Sequence, residues 1–169
     1  MSRNIAIFDT SLLCCWLGVP GRDRTGSGSN SWDSTRVSDL VEEELQKGST
    51  IVLPLATIIE TGNHISQAPS ERYRHATEFS KHLKSAVQSQ SPWAAFTDQS
   101  ILWGTDRMLL LATEWPKLAN AKMSLGDATI KYVADYYAEA GFDVKILTSD
   151  EGLRAYEPKR PEKQPRRRL

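Results

Sequence analysis

Three short apolar runs, at residues 4–8, 50–53 and 144–147, are separated by stretches whose apolar positions recur every three or four residues. This alternation constrains the chain more than any other feature. Each run is too short for a core helix and lacks the polar alternation of a half-exposed strand, so each reads as a strand buried on both faces. Such strands need helices above and below them, and the intervening segments supply these. The expected fold is a three-layer α/β/α sandwich with a central parallel sheet.

The helical segments can be placed from their caps and stripes. A helix is expected over 10–17, followed by a loop over 18–31 thick with Gly, Ser and Arg. Asp33 or Ser34 caps a helix over 35–47, whose Val37, Leu40, Val41 and Leu45 share one face and which Gly48 stops. Pro54 suits the first turn of a helix carrying Ile58, Ile59 and Glu60. A long amphipathic helix over 70–88 turns Ala76, Phe79, Leu83 and Val87 inward, with Arg72, Arg74, Lys81 and Lys84 on its other sides. Residues 93–96 read as a short strand and 106–115 as an apolar helix ended by Pro116. Ser124 opens a helix that buries Ile130, Val133, Ala134 and Tyr137 and ends at Gly141, and a short helix starts at Glu151.

At 169 residues, 40% of them apolar, the chain has the size and composition of one packed domain. No apolar run approaches the roughly 18 residues of a membrane span. Asp9 interrupts the apolar start and no small-residue cleavage site follows, which argues against a signal peptide. Cys14 and Cys15 are adjacent and poorly placed for a disulfide or a metal clip. A cytoplasmic protein without membrane contact is the expectation. The formal net charge of zero conceals an asymmetry: residues 158–169 hold six basic side chains against one acid. The domain is therefore expected over 1–157, with 158–169 as a basic, disordered tail that would attract phosphates by counterion release.

Ligands of an open parallel sheet collect at the carboxyl ends of its strands. Asp9 directly follows the first strand, Glu60 lies in the helix after the second, and Asp150 comes three residues past Leu147. Asp127 sits in the first turn of the helix that feeds the last strand. Four acids from distant parts of the chain are thus expected at one edge. Two carboxylates about 4 Å apart repel by roughly 4 kcal/mol at an effective dielectric of about 20, so such a cluster calls for protons or cations. Hard oxygen donors suit Mg²⁺ or Mn²⁺ rather than zinc. Two such ions about 4 Å apart can activate a water and stabilise the leaving oxygen of a phosphodiester.

The segments Ile7-Phe8-Asp9-Thr10-Ser11, Ile58-Ile59-Glu60, Gly126-Asp127-Ala128 and Leu147-Thr148-Ser149-Asp150 occur in an order and strand context that resembles the PIN-domain nucleases. The resemblance spans roughly residues 4–155. It implies a PIN-like fold, with Asp9, Glu60, Asp127 and Asp150 as the catalytic, metal-binding set and single-stranded or structured RNA as the substrate of a metal-dependent endoribonuclease. It also implies an antitoxin partner if the chain belongs to the toxin branch, and homodimerisation, which is common in that family. The chain's length, its loop at 21–31 and its basic tail separate it from the compact toxins.

Each acid has an ordinary reading as well. Asp9 would start a turn, Glu60 would pair with His64, and Asp150 would cap the last helix. Asp127 would complete a capping-box-like Ser124-x-x-Asp127 and pair with Lys131. Thr10, Ser11 and Thr148 could orient a carboxylate. His64 could face the site, although a lone helical histidine is more often structural, and Trp32, in a polar loop, is the tryptophan best placed to stack on a base. Arg22 and Arg24, the basic helix and the tail are the candidate phosphate contacts. Two other functions fit in part. A haloacid-dehalogenase-type phosphohydrolase would also use Asp9 and Gly126-Asp127, but it needs an acid two residues after its nucleophile, where this chain has Ser11. A non-catalytic scaffold that binds RNA or protein would not need all four acids.

Overall fold

The computed structural model describes residues 4–159. In chain order its elements are β1 (Asn4–Phe8), α1 (Thr10–Trp16), a hairpin of β2 (Arg24–Thr25) and β3 (Trp32–Asp33), α2 (Ser34–Gln46), β4 (Thr50–Val52), α3 (Leu55–Ser66), α4 (Arg72–Val87), α5 (Thr105–Asn120), α6 (Leu125–Glu139), β5 (Asp143–Leu147) and α7 (Glu151–Arg154). The strands β4, β1 and β5 form a parallel sheet in that order, with Ile5 in register with Thr50 on one side and Val144 on the other.

Helices cover both faces of this sheet, as the continuous apolar runs require. Ala6 and Phe8 of β1 and Ile51 of β4 enter one core with Leu12, Leu13, Val37, Val41 and Phe79. Ile5 and Ile7 enter the other with Val52, Val144, Ile146, Ile130 and Val133. The chain runs from β1 to β4 on one side and returns to β5 on the other, so its progression across the sheet reverses at β1. Both outer edges of the sheet carry hydrogen bonds to other parts of the chain. Ile51 donates to the Pro92 carbonyl and accepts from the Ala94 amide, each at 2.8 Å. On the far edge, the Ile146 amide donates to Glu157 Oε2 at 2.7 Å.

Four local expectations are corrected. Residues 93–96 do not form a strand. Trp93 makes one isolated parallel bridge to Ile51, and the chain then winds into a 3₁₀ helix over Phe96–Trp103. The apolar helix does not end at Pro116, because α5 continues to Asn120 while Trp115 and Leu118 pack on the second core. Pro116 lacks an amide, so it removes one hydrogen bond without removing the packing beyond it. In α4 the buried side chains are His75, Phe79 and Ala86, whereas Ala76 and Val87 are exposed. Leu45, expected on the inner face of α2, is also exposed. Asp33 rather than Ser34 caps α2, accepting from the Arg36 amide at 2.9 Å. No described helix is long and apolar enough to cross a membrane. From residue 160 onward, the expected tail lies outside the described residues.

Candidate active site

The point at which strand progression reverses is where an open parallel sheet leaves a crevice, and Asp9 stands there. Its amide donates to the Leu147 carbonyl at 3.1 Å, carrying the β1–β5 ladder one residue past the strand. Its backbone is extended and its side chain caps α1, so the turn reading and the site reading hold together. Asp9 is buried, and both oxygens of its carboxylate accept hydrogen bonds. Oδ1 accepts from the Thr10 amide at 2.6 Å, and Oδ2 accepts from the hydroxyls of Ser11 and Thr148, both at 2.7 Å. These bonds offset the desolvation of a buried charge and fix the orientation of the group.

Glu60 lies on the second turn of α3 and accepts the Thr10 hydroxyl on Oε2 at 2.9 Å. Its other oxygen rests against α6, where a Cβ at Gly126 would come within 2.3 Å of Oε1. Ser124 caps α6 by accepting the Asp127 amide at 3.0 Å. The Asp127 carboxyl is pushed above its ordinary value, first by burial and then by the charges of Asp9, Asp150 and Glu60, against a lowering hydrogen bond from Ser124. The expected pair with Lys131 does not form, since Lys131 reaches Asp135 at 2.6 Å instead. Asp150 caps α7, accepting the amides of Gly152 at 2.7 Å and Leu153 at 3.2 Å, while its own amide donates to the Thr148 hydroxyl at 2.9 Å. Thr148 therefore bridges Asp9 and Asp150.

Asp9, Glu60 and Asp150 line one cleft of about 260 Å³, together with Arg22, Arg24, Cys14 and His64. Asp127 does not line it but feels the charges of the other three. His64 belongs to the cleft rather than to the core, and burial followed by the Arg22 charge pushes its imidazole below the usual range, against an opposing pull from Glu60. Burial pushes the Cys14 thiol up to about 11, which makes it a poor nucleophile. Trp32 is not free to stack on a base from the side that Arg36 covers: the guanidinium lies 3.9 Å from the ring centroid. A larger cleft of about 610 Å³ lies at the other end of the strands. Its buried acid, Glu44, is already bound by Lys145 at 2.9 Å and Lys47 at 3.2 Å.

Among the described residues, no group of three or more His, Cys, Asp or Glu side chains would hold a metal ion as it stands. The chemistry of the donor set nevertheless suits a hard divalent cation. Three carboxylates line one cleft, none of the four acids has an ion pair with a Lys or Arg among the described residues, and Asp127 is raised first by burial and then by the charges of the other three. No protein-family model, curated protein or solved structure matches this chain.

Proposed function

We propose that this chain is a divalent-metal-dependent nuclease of the PIN type that cuts single-stranded RNA, with Asp9, Glu60, Asp127 and Asp150 as its metal-binding set and Mg²⁺ or Mn²⁺ as its ion. The observation that carries this reading is the gathering of Asp9, Glu60 and Asp150 in one cleft at the reversal point of the sheet, with Asp127 near enough that its carboxyl is raised, first by burial and then by the charges of those three. When bound, a divalent ion supplies activation of a water and neutralisation of phosphodiester charge. The protein's part is positional. Ser11 and Thr148 hold one Asp9 oxygen, the Thr10 amide holds the other, and the Thr10 hydroxyl holds Glu60. Because Thr10 touches both Asp9 and Glu60, a single residue sets their relative placement. Ser11, which occupies the position where a phosphohydrolase would need its second acid, serves here to orient Asp9.

The test is cleavage of an end-labelled single-stranded RNA with Mg²⁺ or Mn²⁺ and with EDTA. Wild type should cut only with metal. Asp9→Asn should lower the rate by at least about 100-fold, because losing a ligand exceeds the 10–100-fold typical of groups that merely orient one. Glu60→Gln and Asp150→Asn should act alike, with double variants far from additive because the residues serve one site. Cleavage that persists in EDTA, or an Asp9→Asn variant as active as wild type, overturns the reading.

A further inference from the structure

We propose that the segment between α1 and α2, residues 18–33, is a phosphate clamp in which Arg22 and Arg24 hold the backbone of a single-stranded RNA beside the acidic centre. This rests on the nuclease reading of that centre and names how its substrate is held.

A centre of four carboxylates repels a polyanion, so positive charge must be supplied within reach of it. The basic helix does not supply it. None of Arg72, Arg74, Lys81 and Lys84 lines the cleft, and Arg74 is paired with Glu71 and Lys81 with Glu78 at 2.6 Å. Arg22 and Arg24, in contrast, line the same cleft as Asp9, Glu60 and Asp150. Both are exposed, and neither has an ion pair among the described residues. The Arg22 charge is felt by His64 and by Cys14, both of which line the cleft. A guanidinium stays charged at all working pH values, and its planar fork matches two phosphate oxygens.

The segment is tied down rather than loose. Gly26 has φ +77°, and a Cβ there would sit 1.8 Å from the Asn30 carbonyl oxygen, so only glycine permits this tight bend. The Asn30 amide group donates to the Ser149 carbonyl at 2.8 Å, and the Thr25 and Ser149 hydroxyls share a hydrogen bond at 2.7 Å. The Trp32 indole donates to Asn30 Oδ1 at 2.9 Å, which orients the latch. Ser149 lies between Thr148, which holds Asp9, and Asp150. The latch therefore fastens the segment that carries the two arginines to the turn that carries Asp150 and, through Thr148, holds Asp9. Held in this way, they can contact phosphate without the entropy loss of ordering a free loop.

The experiment is fluorescence anisotropy of a labelled single-stranded RNA in EDTA across a salt series, so that it reads binding without cleavage. The double variant Arg22→Gln, Arg24→Gln should bind more weakly and flatten the log–log salt slope by about 0.7 for each phosphate no longer neutralised, or about 1.4 for both. The Arg22→Lys, Arg24→Lys variant should restore the slope but only part of the affinity, since it keeps the charge without the fork. Asn30→Ala, which removes no charge, should weaken binding several-fold, and wild-type affinity in this variant would overturn the latch as the positioning device. Thermal melts confirm that the variants fold. Wild type that binds no RNA, or a Gln variant with unchanged affinity and slope, overturns the clamp while leaving metal-dependent cleavage to be judged on its own assay. A wild type that loses binding in the Gln variant yet cuts nothing with Mg²⁺ or Mn²⁺ keeps the clamp and overturns the nuclease reading.

Discussion

Asp127 bears a penalty in the folded chain that it escapes in the unfolded one: burial and three neighbouring carboxylates all disfavour its charge. An acid whose carboxyl is raised by folding stabilises the fold only while protonated. That contribution is complete below its ordinary value of 3.8 and is lost as pH rises through the raised value. At pH 7 without metal, Asp127→Asn should therefore raise Tm, by about 2–4 °C for each kcal/mol of repulsion relieved in a domain of this size. The gain should vanish below about pH 4, where wild type no longer carries the charge. Melts in EDTA at the two pH values decide it; a lower Tm at pH 7 would show that the charged carboxylate makes a net stabilising contact. The positions of Asp9, Glu60 and Asp150 at one cleft were legible from sequence because each follows a strand, whereas Asp127, at a capped helix start, lies outside the cleft lining. For His64 the sequence leaves both the site and a structural place open. Whether a helical histidine faces core, water or cleft depends on how α3 is rotated against its neighbours, and the stripe of Ile58 and Ile59 does not specify that.

Gly126 of α6 lies against the Glu60 carboxylate of α3, so the placement of Glu60 is set between elements rather than within one. Gly126 lacks a positive φ, and the atom its Cβ would strike is the end of a flexible side chain. Gly126→Ala should therefore leave Tm unchanged or slightly raised, by the helix preference of Ala over Gly. The Glu60 carboxylate would have to move, and a displacement on the order of 1 Å at a reacting centre can lower the rate by about 100-fold. Melting curves beside single-turnover cleavage test this; a variant that unfolds while its residual folded fraction keeps full activity would contradict it. Sequence pattern fared unevenly at this scale. Ser124 marked the start of α6 because a cap is a local signal. On α4 Phe79 is buried as expected, but the two outer positions of the stripe were misplaced by one, since His75 and Ala86 take the buried places that Ala76 and Val87 seemed to claim. Residues 93–96 looked like a strand because all four are apolar, and Trp93 does make one isolated bridge to Ile51, but the chain then turns into the 3₁₀ helix instead of extending a ladder.

Across the whole molecule, the parallel sheet with helices on both faces followed from the alternation of short apolar runs and amphipathic segments, whereas the order β4-β1-β5 did not. A crossover can carry the chain to either side of a strand, and periodicity does not record which. The same limit applies to the hairpin of β2 and β3, whose strands of two residues each are set by the Gly26 bend and the Ser149 latch. The basic tail makes its own prediction. Removing residues 160–169 deletes Arg160, Lys163, Arg166, Arg167 and Arg168 but spares Glu157 and its bond to the sheet. RNA binding should weaken most at low salt, with the slope falling by about 0.7 for each phosphate the tail had neutralised, while the single-turnover rate at saturating RNA stays unchanged. A fall in that saturated rate would mean that the tail helps to build the site.

A sheet of three strands presents two rims of backbone donors and acceptors, and such rims are where one chain recruits another into a growing stack. Here the outer side of β4 is occupied by residues 92–94, and on β5 a glutamate carboxylate takes the Ile146 amide. A negative charge on that rim repels an identical rim as well as satisfying a donor. With one rim hydrogen-bonded to residues 92–94 and the other carrying a carboxylate, the short sheet is a poor seed for a fibre.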